Sequence, residues 1–213
     1  VTPKNKAFFN FKELTRNIAN IPDFIISCGR KSVIPNIVLK KFFENNYNKK
    51  VQNIHIQDPK ISSKFFSFVI TPELDNPVNG NNVLHSKGAL HYIKEEEVRN
   101  NNLKNENIVS LILGGPNQYY DFFFKDLEDV FNNLIELNNI SKINVVASRR
   151  TPSQLFEKLK SVFNNKKFYY DSSLEKKNYT KSLSEASHVL ITCDSTSMIS
   201  EAAITGKPIY VIK

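Results

Sequence analysis

Short apolar runs rich in β-branched residues alternate along this chain with longer segments whose apolar positions recur every three to four residues. That alternation predicts an α/β protein with parallel sheets. It is most regular from residue 108 onward. A strand is expected over 108–113, ending in Gly114-Gly115-Pro116, followed by a helix over 122–137. There Phe123, Leu127, Val130, Phe131, Leu134 and Leu137 share one face. Strands over 143–147 and 167–170 and helices over 155–163 and 178–186 continue the series. The first half is less regular. A helix-like run starts at residue 11 and breaks at Pro22. A strand over 24–26 then runs into a small-residue turn, and a helix over 34–45 carries Pro35 in its first turn, where proline is tolerated. A strand over 51–56, an apolar run over 65–71 and a short strand over 82–85 follow. Residues 94–107 are polar with almost no apolar period, which places a domain boundary near residue 100.

The densest signal lies over 189–212. An apolar strand over 189–192 leads into Asp194-Ser195-Thr196-Ser197, then a helix over 198–205 closed by Gly206 and Pro208, then a strand over 209–212. In a βαβ unit of this kind the turn lies at the carboxyl end of a strand and the amino end of a helix. Unpaired backbone N–H groups and the helix dipole favour an anion there. The hydroxyls of Ser195, Thr196 and Ser197 can add hydrogen bonds, with Met198 opening the helix. Glu201, one turn on, is a candidate acceptor for ribose hydroxyls. The plainer alternative is a helix cap made by Asp194 or Ser197, with Glu201 solvated.

Composition narrows the class. With 213 residues, 40% of them hydrophobic, and 16 Phe and 8 Tyr, the chain can bury a real core. No apolar run is long enough to span a membrane. Cys28 and Cys193 stand far apart in the sequence, so neither a disulfide framework nor a zinc site is indicated, and a reducing, cytoplasmic setting suits them. His55, His85, His91 and His188 show no ligand spacing; no metal and no cofactor are expected. The net charge of +8 is spread through Asn-rich loops, which argues against nucleic acid as a partner and leaves a phosphate-bearing ligand or a peripheral membrane contact open.

Three strand-end loops are polar together: Gly114-Gly115, Ser148-Arg149-Arg150-Thr151, and residues 194–197. Every strand of a parallel sheet ends on one edge, so these loops should share a rim and could cradle a diphosphate. Neither a Walker motif nor G-x-G-x-x-G is present, and the arginines could equally be solvated or salt-bridged. In the first half, Gly29, Arg30 and Lys31 form a strand-end turn that could face a ligand. Asp75 and His85 are the candidates for a general base, Asp58 reads as a turn residue, and Cys28 as a small residue in a tight turn.

Four segments, SCGRKSVIP (27–35), QDP (57–59), SRRTP (148–152) and DSTSMISEAAITGKPIYV (194–211), resemble the mitochondrial-fission "elongated mitochondria" family. The resemblance implies a GT-B-like architecture: two Rossmann-like parallel-sheet domains facing a cleft. Residues 1–100 would form the acceptor-side domain and 101–213 the nucleotide-binding one. It places Glu201 at the ribose and residues 195–197 at the phosphates, usually without a metal. Relatives carry a further amino-terminal strand and a carboxy-terminal helix, so the chain is expected to be truncated at both ends. Two functions compete: a metal-independent glycosyltransferase taking a nucleotide-diphosphate sugar and an unknown acceptor, and a GT-B-shaped binding or scaffold protein without catalysis.

Overall fold

The computed structural model describes residues 20–75, 79–99 and 106–213, so the helix-like run from residue 11 lies outside the described residues. The chain divides into two compact units, residues 1–89 and 90–213.

In the first unit, β1 (Phe24–Cys28), β2 (Gln52–Ile56), β3 (Phe68–Pro72) and β4 (Val83–Ser86) form a parallel sheet in that order. The helix α1 (Val33–Tyr47) joins β1 to β2 and ends at Asn48, which takes a left-handed conformation (φ 48°) suited to a helix stop. The strand expected over 65–71 starts later, because residues Ser63–Phe65 form a 3-10 turn opened by the Ser62 hydroxyl, which accepts from the Lys64 N–H. Val33, Phe66 and Val69 make a small core, with Ile37 and Val83 packed against it. Beside it runs a buried polar seam. The Asn36 amide donates to Ser27 Oγ at 2.7 Å, the Asn53 amide donates to Asn36 Oδ1 at 2.8 Å, and Ser27 Oγ lies 2.8 Å from His55 Nδ1. The register aligns Ile26, Ile54 and Phe68 in one row and Ile56, Ile70 and Leu84 in the next, and Ile26, Phe68 and Leu84 stay exposed.

The second unit carries a five-stranded parallel sheet: β5 (Ile108–Leu113), β6 (Lys142–Ala147), β7 (Phe168–Asp171), β8 (His188–Thr192) and β9 (Ile209–Ile212). Its order is β7-β6-β5-β8-β9. Its helices are α2 (Glu95–Val98), α3 (Phe124–Glu136), α4 (Ser153–Val162), α5 (Lys176–Glu185) and α6 (Thr196–Ala203). All six residues of β5 are buried, as befits a central strand covered on both faces. Val109, Leu111 and Leu113 pack toward Leu127 and Phe131 of α3 and Phe156 and Leu159 of α4. Ile112 packs with Leu183, Ile191 and Ala202 on the other side. Ile93 and Val98 join that second core, which brings part of the polar stretch 94–107 into the second unit. Phe131 stacks on Phe168 with ring centres 5.2 Å apart and meets Phe163 at a tilt with centres 4.8 Å apart, so a single ring fastens α3 to β7 and to the end of α4. Among the described residues no helix is long and apolar enough to cross a membrane.

Candidate functional site at the carboxyl edge of the second sheet

The chain builds β5, β6 and β7 outward in one direction and then returns to lay β8 on the other side of β5. The loops after β5 and β8 therefore diverge, and this reversal of strand order is where open α/β sheets leave a crevice for ligands. The three polar loops anticipated from sequence meet at this edge.

Asp194 is the hub. Its carboxylate is 2% exposed and accepts from Gly115 N at 3.2 Å, from the Thr192 hydroxyl at 2.6 Å and from Arg150 Nη2 at 2.5 Å. The Thr192 hydroxyl accepts in turn from Gly114 N at 2.8 Å. Both glycines are needed for closeness rather than for an unusual φ. A Cβ on Gly114 would overlap the Asp194 carboxylate, and one on Gly115 would overlap the Arg150 carbonyl. The loop after β6 is fastened to β5 by Ser148 N, which donates to Leu113 O at 3.0 Å, and by the Thr151 hydroxyl, which reaches the carbonyls of Leu113 (2.8 Å) and Gly114 (2.6 Å).

Outside this knot the rim is open. Arg149 is exposed, and the Arg150 side chain keeps 38% of its surface in water. Ser195 is the N-cap of α6, its Oγ accepting from Met198 N at 3.5 Å, while Thr196 and Ser197 are exposed in the first turn. Glu201 lies one turn on, half-buried, and its Oε2 accepts from the Tyr179 hydroxyl of α5 at 3.0 Å. Burial pushes the Glu201 carboxyl up from the ordinary carboxylate range, against the opposing pull of the Tyr179 hydrogen bond and of His91. Burial likewise raises the Tyr179 hydroxyl, with the Glu201 charge adding to it.

Sequence reasoning brought Gly114, Gly115, Ser148, Arg150, Thr151 and Asp194 to one place. It missed Thr192, Tyr179 and Asn117. The Asn117 amide donates to Asp194 O at 3.0 Å, and its Oδ1 accepts from the N–H groups of Tyr119 (2.8 Å) and Tyr120 (3.1 Å). An asparagine two residues before paired aromatics, straight after Gly-Gly-Pro, was the available signal for that turn. In the first unit, Gly29 has φ 84° and leads into a 3-10 turn that leaves Arg30 and Lys31 exposed. His85 is exposed on β4, and Asp75 ends the 3-10 turn Glu73–Asp75. Asp58 is a turn residue as expected: burial pushes its carboxyl up, but the side chain and N–H of Lys60 bring it net below the usual range. Among the described residues no group of three or more His, Cys, Asp or Glu side chains is arranged to hold a metal ion.

The chain is 26% identical over 233 residues to "Uncharacterized protein RP120" of Rickettsia prowazekii (strain Madrid E), covering 89% of this chain and 64% of that one. It is 26% identical over 226 residues to the mitochondrial fission protein ELM1 of Arabidopsis thaliana, covering 90% of this chain and 51% of that one. It therefore spans between 51% and 64% of the length of these curated relatives. Among solved structures, the UDP-GlcNAc 2-epimerase of Methanocaldococcus jannaschii superposes with a TM-score of 0.54 at 16% identity, over 89% of this chain and 61% of that one. That likeness is one of fold: two parallel α/β sheets of the GT-B class. The family described as mitochondrial fission ELM1 matches residues 3–213, and the chain belongs to it.

Proposed function

We propose that the carboxyl edge of the second sheet binds the diphosphate of a nucleotide-diphosphate sugar, as a GT-B glycosyltransferase-like protein would. The observation that carries this reading is the knot at Asp194. It fixes three loops without using the exposed part of Arg150, Arg149 or the first turn of α6, so a preorganised cationic rim stands open at the strand-order reversal. A diphosphate placed there would take backbone N–H groups from α6 and charge-assisted bonds from Arg149 and Arg150. Glu201, held by Tyr179, would accept from the ribose. The GT-B fold and the UDP-GlcNAc 2-epimerase likeness support the ligand class. A second reading, binding without transfer, draws on the engagement of Arg150 with Asp194 and of Glu201 with Tyr179, which makes both residues structural members of the unit.

Calorimetric titration of the full chain with pyrophosphate and with UDP, GDP and ADP tests the proposal. Arg149→Ala should weaken all of these ligands, by about 1.5–3 kcal/mol for a hydrogen bond to a charged group. Glu201→Gln should weaken the nucleotides and spare pyrophosphate. Equal loss of both in the Glu201 variant would remove the ribose assignment. Absence of any diphosphate binding would remove the whole reading. Incubation with labelled nucleotide-sugar, followed by release of free nucleotide, separates transfer from binding alone.

A further inference from the structure

The loop between β5 and α3 carries aromatic residues at five of six positions from Tyr119 to Phe124, of which Phe123 is the exposed N-cap residue of α3. Phe122 and Phe124 pack against the core cluster under α3 and α4. Tyr119 and Tyr120 belong to neither core of this unit and stand 78% and 44% exposed. Two adjacent tyrosines thus present ring surface that a ligand could cover while their hydroxyls stay in water.

The turn that carries them is tied down. Asn117 Oδ1 accepts from both tyrosine N–H groups, Asn117 N donates to Tyr120 O at 3.0 Å, and the Asn117 amide donates to Asp194 O. Arg150 Nη2 approaches that same carbonyl at 3.4 Å. The two tyrosines are therefore mounted on a hydrogen-bonded turn anchored to the residue that precedes the N-cap of α6. Tyr119 lies two residues from the anchor, at most roughly 7 Å along the backbone. That reach is comparable to the span of a diphosphate. Tyrosine also presents a large rigid face while losing few rotatable bonds on contact.

We propose that Tyr119 and Tyr120 form a ring-stacking wall beside the diphosphate rim, so that the site selects diphosphate esters carrying a ring over inorganic pyrophosphate. This rests on the diphosphate reading of the rim. The ring could be the base or the sugar; both offer a face to an aromatic side chain, and the probes below distinguish them.

The experiment is calorimetric titration of the full chain, wild type against Tyr119→Ala/Tyr120→Ala and Tyr119→Phe/Tyr120→Phe. The probes are pyrophosphate, then UDP, ADP and GDP, then UDP-glucose, ADP-glucose and GDP-glucose. The alanine pair should lower affinity for the ring-bearing ligand roughly 5- to 150-fold, the range for loss of one stacked base, and leave pyrophosphate unchanged, while the phenylalanine pair retains wild-type affinity. Equal losses for nucleotide and nucleotide-sugar identify the base as the stacked ring; a loss confined to the nucleotide-sugar identifies the sugar. Unchanged affinity for every ring-bearing ligand overturns the wall while leaving the rim intact. A parallel loss of pyrophosphate shows that the loop only holds the rim, and overturns it too. Failure of the wild type to bind any of the probes overturns both the wall and the rim.

Discussion

The Arg150 guanidinium and the Asp194 carboxylate meet at 2.5 Å, joining the loop after β6 to the loop after β8 over the end of β5. The two partners are unequal: the aspartate is 2% exposed and the arginine 38%. Arg150→Ala leaves a buried carboxylate short of its cation and should cost about 3–5 kcal/mol. Asp194→Asn leaves a guanidinium that water already reaches, so about 1–3 kcal/mol is expected. Urea denaturation of both single variants and the double variant checks this. An arginine variant no less stable than the asparagine one would contradict the asymmetry.

The paired glycines give a steric prediction. In Gly115→Ala the new methyl meets the backbone carbonyl of Arg150, which cannot swing aside like a side chain. Overpacking of this kind costs about 1–3 kcal/mol. The added methyl should also push apart the loops after β5 and β6, visible as faster amide exchange at Ser148 and Thr151. A Gly115→Ala protein with wild-type exchange at those amides would show that the contact is looser than described.

His55 makes the first unit sensitive to acid. The ring is fully buried, and burial lowers its pKa below the ordinary 6.5, partly opposed by the negative charge of Asp58. The unfolded chain thus takes up a proton near pH 6.5 that the folded ring refuses until lower pH. Below 6.5 the unfolded state binds more protons, so stability rises with pH through this window and falls as the pH drops below it. The unfolding midpoint of the wild type should decline between pH 7 and pH 5 more steeply than that of His55→Asn. Parallel declines would mean that other groups carry the effect.

Tyr179 offers a control on Glu201. If the tyrosine hydroxyl orients the carboxylate, Tyr179→Phe should weaken nucleotide binding in the same direction as Glu201→Gln, and by less, with pyrophosphate unaffected. Nucleotide affinity unchanged in Tyr179→Phe but lost in Glu201→Gln would assign the acceptor role to Glu201 without its partner.

The parallel series from β5 onward was legible because its apolar runs are short, its helices amphipathic and its breaks marked by Gly and Pro. Helix and strand ends moved by a few residues, as capping would have it: α6 begins at Thr196 because Ser195, not Ser197, caps it. The rim was legible too, since strand direction alone brings Gly115 and Asp194 to one edge. What sequence could not yield was who bonds to whom. In sequence Asp194 has the marks of a cap or a ligand contact; in the fold it is the internal anion that holds Arg150. Val98, an isolated apolar residue in the polar stretch, carries no period, and only the fold shows that the second core takes it in.

Gly115 and Asp194 are 79 residues apart in sequence, and their hydrogen bond closes across the β5–β8 pairing, which skips β6 and β7. Contacts of such long sequence separation form slowly, because the intervening chain must be gathered before any of them stabilises it. β5, β6 and β7 precede β8 in the chain, so the rim has no Asp194 until β8 has docked beside β5. Assembly of the site thus waits for the β5–β8 pairing. Diphosphate binding would then stabilise only chains whose second sheet is finished, and would draw late intermediates toward the native state.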